Sequence, residues 1–299
     1  MTLSCKLLPL ALFLVGGAAA LSQTGGPDAC PPDDAAFLKI RQSAEAKDAA
    51  AETALASCYD LGLHVPPDRK ESIRWLKEAA NQGYAPAEYE LGRIYLYGRG
   101  VPADYVKAAQ WERKAAEQGD PRAQRDLAFI YERGFGVQPD PAQAAEWNRK
   151  AATQGHAEAQ AHLARALDEG AGVQKNSVEA REWYAKAAGK DNPAAQLELA
   201  RKLAEKPDCN GAAHWYEEAA AHGQTAAMFE LGKLYLKSQC ADKSRAFLWF
   251  SIGARFGLKE SGDEAGKVQP ALSAAQRAHA LQTAESWINE HPGSEKEED

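Results

Sequence analysis

The chain has 299 residues, a formal net charge of −7, and 45% hydrophobic, 26% charged and 8% aromatic residues. That balance excludes a wholly disordered or collagen-like chain, and a mean hydropathy of −0.51 excludes a multi-span membrane protein. The acidic balance supplies no long-range attraction for nucleic acid or an anionic membrane.

Residues 1–20 read as an address. A single charge, Lys6, precedes the apolar run Leu7–Val15, and Ala18 and Ala20 form a small-residue cleavage pattern. The run is too short to span a bilayer, so a secretory signal peptide cut after Ala20 is expected. No cysteine directly follows the cut, so no lipid anchor is expected. The leader carries Cys5, which leaves Cys30, Cys58, Cys209 and Cys240. An even count in an exported chain favours disulfides, with three connectivities open. No Cys-x-x-Cys occurs, which disfavours zinc and thioredoxin-type chemistry.

Next in chain order comes a predicted amphipathic helix over 33–47, carrying Ala36, Phe37 and Ile40. A repeat follows. Tryptophan recurs at 75, 111, 147, 183, 215 and 249, at intervals of 36, 36, 36, 32 and 34 residues. A fixed period of this length is the signature of a solenoid. Upstream of each tryptophan stands a second marker, such as Leu91-Gly92-x-x-Tyr95 or Leu127-Ala128-x-x-Tyr131. Leu and Tyr four apart share one helix face, and the small residue beside Leu admits a neighbouring helix. Seven residues before the tryptophans stand Asp68, Asp104, Asp140, Asn176, Asp208 and Asp242, all good N-caps. Ala-Ala four residues after most tryptophans, then Gly83, Gly119, Gly155 or Gly223, reads as a helix end with a left-handed stop. Each unit is therefore helix A, loop, helix B, stop.

These residues resemble the Sel1-like repeat family, relatives of the tetratricopeptide repeats. The second repeat carries the motif almost throughout, in Ala85, Ala87, Leu91, Gly92, Tyr95, Gly98, Gly100, Val101, Asp104, Trp111, Ala115 and Ala116. The resemblance implies an all-α, right-handed α-solenoid of helix-turn-helix repeats with capping helices. The expected organisation is a linker and capping helix over 21–48, about six repeats over 49–257, a C-terminal capping helix over 258–291, and a disordered acidic tail over 292–299. The loops of the fifth and sixth repeats are shortened and contain Cys209 and Cys240. Equivalent loops of neighbouring repeats lie side by side, so Cys209–Cys240 is one expected bridge. Cys30–Cys58 is the other, stapling the N-terminal cap.

A search for chemistry returns negatives. None of the seven histidines forms His-Glu-x-x-His or another chelating helical spacing, and no acyl-transfer, Walker or dinucleotide motif occurs. No metal and no cofactor is expected. The recurring Gly-x-Gly-Val loops read as structural turns, and the tryptophan and tyrosine sets as core. What remains is surface. In related superhelices helix A lines the concave face, where solenoids bind extended partners. The outward positions of helix A then include Tyr89, Arg93 and Tyr97 in repeat two, Arg125, Phe129 and Arg133 in repeat three, and His162 and Arg165 in repeat four. Tyr, Phe and Arg are frequent interface anchors, so these eight are the expected partner-binding residues.

The resemblance implies a non-enzymatic, periplasmic protein that binds a protein partner. Such relatives include immunity proteins against periplasm-acting toxins such as type VI secretion lipases. Adaptors or regulators of envelope signalling or polysaccharide systems are the alternative. A cell-wall or β-lactam hydrolase, proposed for some relatives, is the second alternative, and no catalytic constellation for it is found.

Overall fold

The computed structural model describes residues 29–206 and 208–292. The expected leader and its cleavage site, and all of the expected tail but Pro292, lie outside the described residues. The regular elements of the described residues are all helices, without a strand, and the described residues divide into two compact units. One runs to Ala103 and the other starts at Asp104, so the division falls in the loop of the second repeat.

The first unit holds α1 (Asp34–Glu45), α2 (Ala49–Leu61), α3 (Arg69–Asn81) and α4 (Ala85–Tyr97), each packed on the next. The second unit holds α5 (Tyr105–Glu117), α6 (Pro121–Arg133), α7 (Pro141–Thr153), α8 (Ala157–Glu169), α9 (Ser177–Ala188) and α10 (Pro193–Ala204). It continues with α11 (Cys209–Ala221), α12 (Thr225–Leu234), α13 (Lys243–Arg255), α14 (Lys259–Val268) and α15 (Ala274–Glu290). From α5 to α14 each helix packs on its successor, and α15 returns to α13. The architecture is an all-α solenoid of helix pairs. Residues 258–291 hold two helices, α14 and α15, rather than the single capping helix expected.

Local chemistry starts each helix. All six spaced Asp and Asn residues are N-caps of a B helix, and each side chain accepts a backbone N–H that the helix leaves unpaired. The A helices end at Gly62, Gly98, Gly134 and Gly170 in the left-handed conformation. The core follows the markers. Leu55, Leu91, Leu127, Leu163, Leu199 and Leu231 are buried, as are the Ala-Ala pairs from Ala79-Ala80 to Ala219-Ala220. Each leucine so buried contributes roughly 1.5–3 kcal/mol, and the small alanines bring paired helices close. The tryptophans depart in part from a core reading. Trp147, Trp183 and Trp249 are buried, but Trp75, Trp111 and Trp215 are only partly so. Four of the six carry a cation over the ring, from Arg74, Lys114, Lys150 and Lys186.

A polar ladder accompanies this core. Gln124, Gln160 and Gln196 are buried, and each donates through Nε2 to the carbonyl of Ala116, Ala152 or Ala188 at the end of the preceding B helix. Gln154 Nε2 donates to Gln124 Oε1 at 2.9 Å and to the Gly119 carbonyl at 3.0 Å, tying one repeat to the next. In the first unit Gln82 Nε2 donates to Glu52 at 2.7 Å.

Both expected disulfides are present. Cys30–Cys58 has its Cα atoms 4.9 Å apart, and Cys209–Cys240 has them 5.6 Å apart. Beside the first, His64 clips the N-terminal cap. Its Nε2 lies 2.8 Å from the Pro31 carbonyl, its Nδ1 lies 2.7 Å from Asp34 Oδ1, and its ring stacks on Phe37. Both partners accept, so only the imidazolium satisfies both. The Pro31 carbonyl and then Asp34 raise the His64 pKa above its ordinary value. A raised folded-state pKa adds stability that is complete below the unfolded value of about 6.5 and fades as pH climbs through the folded one. The unfolding midpoint of the wild type should therefore exceed that of His64→Asn at acid pH, and the gap should close toward alkaline pH. Asparagine tolerates the left-handed backbone at this position (φ 66° at Lys47, 61° at His64). A gap that does not change with pH would remove the clip from the account.

Candidate interaction site

The eight helix-A residues divide between the two units. In the first, α4 presents Tyr89, Arg93 and Tyr97 at successive i,i+4 positions on one face. The Arg93 guanidinium stands 5.6 Å from the Tyr89 ring centre and 5.8 Å from that of Tyr97, and Arg99 stands 5.2 Å from that of Tyr97. Tyr97 is 51% exposed, but Tyr89 is buried at 7%. Tyr89 therefore does not offer its ring to solvent, contrary to its expected outward position. It serves as a floor for Arg93.

In the second unit, α6 presents Arg125, Phe129 and Arg133 at the same three repeat positions, with the residue types exchanged. Arg125 and Arg133 flank Phe129, with guanidinium carbons 5.5 and 5.6 Å from its ring centre. Phe129 meets Phe135 edge-on at 5.6 Å, and Phe135 stacks on Tyr105 at 4.8 Å. Tyr105 and Val106 are exposed. Neither Tyr105 nor Phe135 belongs to the helix-A pattern, because one starts helix B and the other sits inside a Gly-x-Gly turn.

The charges differ in how far they are spent. Arg125 pairs with the buried Asp126 at 2.8 Å and with Glu158 on α8. Arg165 reaches Glu132 at 2.7 Å and donates to His162 Nδ1 at 3.1 Å. Loss of hydration, then the neighbouring Arg165, lowers the His162 pKa, which suits its role as a neutral acceptor. Glu198–Arg201 and Glu230–Lys233 are i,i+3 pairs on exposed helix faces, worth a few tenths of a kcal/mol each, about 0.2–0.5. Arg133 is different. It is exposed, and it forms no ion pair among the described residues. Its guanidinium lies on an aromatic ring with its donors free for a carboxylate from elsewhere.

Among the described residues no three His, Cys, Asp or Glu side chains gather as a metal site, and no helix is long and apolar enough to cross a membrane.

The Sel1 repeat model matches residues 49–84, 85–120, 121–156, 157–192, 193–224 and 225–255. No curated protein matches the chain. Among solved structures, the chain is similar to c5321, a protective antigen present in uropathogenic Escherichia coli strains that displays an SLR fold. They share 32% identity and a TM-score of 0.74 over 86% of this chain and 56% of that one, so this chain spans little more than half of that protein. It is similar to a Sel1 repeat protein from Oxalobacter formigenes at 30% identity and a TM-score of 0.62, over 73% of this chain and 95% of that one. Immunity protein Pa5087 from Pseudomonas aeruginosa aligns at 18% identity and a TM-score of 0.39, over 76% and 84%, a likeness too slight to argue from.

Proposed function

We propose, for a chain that belongs to the Sel1-repeat family, that it is an exported, non-catalytic module that binds one protein partner through the aromatic and arginine side chains of its A helices. One observation carries the reading. Phe129, Phe135 and Tyr105 form a connected aromatic patch beside Arg133, whose charge is not used within the described residues. Rigid aromatics supply contact area at low entropic cost, and a stacked arginine supplies bidentate recognition of a carboxylate. The favoured partner surface therefore pairs an acidic side chain with an apolar one. Arg125, His162 and Arg165 are committed to internal pairs and frame the patch.

The compartment we propose is the periplasm. Two disulfides suit an oxidising compartment, and the first twenty residues have the composition of a leader. Within that compartment the family resemblance favours an immunity-type inhibitor of a toxin, with an envelope adaptor as the alternative.

The test is affinity capture from periplasmic extract in non-reducing buffer, using wild type and Arg133→Glu side by side. One stoichiometric partner should be retained by wild type, and the substitution should weaken it by about 30-fold or more, as for a residue worth 2 kcal/mol. The variant's circular dichroism should be unchanged and its melting only slightly lowered, because Arg133 is exposed and loses one ring contact and one favourable helix-end charge. Loss of the captured protein's enzymatic activity on binding would identify inhibition, and unchanged activity would identify scaffolding. Equal capture by both forms, or no partner, would count against the patch.

A further inference from the structure

A cleft lies far along the sequence from that patch. Three helices of the second unit line this open cleft of 240 Å³. Its apolar walls are Leu248, Trp249 and Ile252 of α13 and Trp287 of α15, with the two indoles edge to face at 5.4 Å. The i,i+4 and i,i+3 spacings put each set on one helix face. Two opposite charges share the cleft, Glu217 of α11 and Arg245 of α13, with the hydroxyl of Thr283 alongside.

Those charges do not satisfy each other. No ion pair joins Glu217 to Arg245, and no group among the described residues hydrogen-bonds Glu217. Loss of hydration pushes the Glu217 pKa up, more than the nearby Arg245 and His214 pull it down. Glu217 and Arg245 both stand exposed at the rim of the cleft, where an incoming ligand can reach them. Arg245 spends two contacts, on the Tyr235 hydroxyl at 3.3 Å and on Asp242 at 3.5 Å, out of five N–H groups. Drug-sized ligands fill pockets of about 300–1,000 Å³, so this one admits something smaller. A small molecule that uses both separated charges and the indole walls must be a zwitterion with an apolar arm.

We propose that this cleft binds a free apolar or aromatic α-amino acid, with the α-ammonium on Glu217, the α-carboxylate on Arg245 and the side chain against the apolar wall of Leu248, Trp249, Ile252 and Trp287. The site is independent of the protein-binding patch and stands or falls separately from it.

The experiment titrates the full chain with L-phenylalanine, N-acetyl-L-phenylalanine, L-phenylalaninamide and the peptide Phe-Gly-Gly, reading the Trp249 and Trp287 indole N–H signals by NMR. L-Phenylalanine should shift both signals saturably. The acetylated compound, the amide and the peptide each lose one charge or displace the carboxylate, and should bind at least about tenfold more weakly, the effect of one charged hydrogen bond. Glu217→Gln should weaken L-phenylalanine by a similar factor and leave N-acetyl-L-phenylalanine unchanged. No saturable shift up to the solubility limit would overturn the site. Equal binding of all four probes would also overturn it, reducing it to an apolar slot. The probe series uses the wild-type chain, so it decides the matter even if the variant misfolds.

Discussion

Replacing Gly136 or Gly172 by alanine should cost about 2–5 kcal/mol, whereas the same change at Gly83 or Gly119 should cost about 1–2 kcal/mol. All four have positive φ, so all four carry the strain of an L-residue in the left-handed region. They differ in what a new methyl would meet. At Gly136 it would fall 2.4 Å from the backbone carbonyl of Tyr105, and at Gly172 it would fall 2.2 Å from that of Pro141. Backbone at the start of a helix cannot step aside without breaking the cap. At Gly83 and Gly119 nothing lies within 4 Å. Gly100 is intermediate, because its neighbour is the flexible side chain of Arg69. Denaturant midpoints of the five alanine variants would rank them. Equal losses at Gly83 and Gly136 would show that φ alone governs these turns, and that the second glycine of each Gly-x-Gly-Val turn is not held by the preceding helix B. Against a total stability of roughly 5–15 kcal/mol, the larger loss would threaten folding outright.

That contrast bears on how much could be read from sequence. Periodicity exposes what every repeat needs, so the N-caps, the Leu and Ala-Ala core positions and the Gly stops were all readable from residue types alone. Where the period fails, reading fails with it. Helix α14 contains Gly262 and Gly266, poor helix formers, and no Leu or Trp marker, so its presence depends on packing against α13. The burial of Tyr89 depends on how neighbouring helices cover it, which the i,i+4 pattern does not state. The polar ladder shares the period but not the conspicuousness of the apolar markers. Glu52, Glu88, Gln124, Gln160 and Gln196 recur every 36 residues, yet a polar residue beside a conspicuous Leu and Trp pattern reads as solvent-facing. The three glutamines are buried because the carbonyl at a helix end needs a donor, whereas Glu52 accepts from Gln82. The interaction patch was half readable. Arg125, Phe129 and Arg133 follow from helix spacing, but Tyr105 and Phe135 join them only through the fold. The cleft between α11, α13 and α15 draws on residues seventy positions apart in the irregular C-terminal region, and no local pattern links them.

Removing the Cys30–Cys58 bridge should undock the N-terminal cap without melting the helices beyond it. The cysteines are 28 residues apart. A loop of that length restricts the unfolded chain by about 3–4 kcal/mol in the entropic account. The cap has little to set against that loss, because α1 fully buries only Phe37 and Ala44. In Cys30→Ser/Cys58→Ser, amide exchange protection should fall sharply in α1 and persist in α3 and α4. The Cys209–Cys240 bridge is the internal comparison. It closes a similar separation of 31 residues, but Tyr216, Met228 and Phe250 pack a large core around its helices. Its removal should lower the global midpoint and leave α11 and α12 protected relative to the rest of their unit. Matching exchange patterns in the two double variants would refute this assignment of a local staple and a global one. With the first bridge gone, α1 is held mainly by its packing and by His64. Residual protection of α1 should then persist at acid pH and disappear as pH rises through the raised His64 pKa, because the imidazolium alone donates to both Pro31 and Asp34.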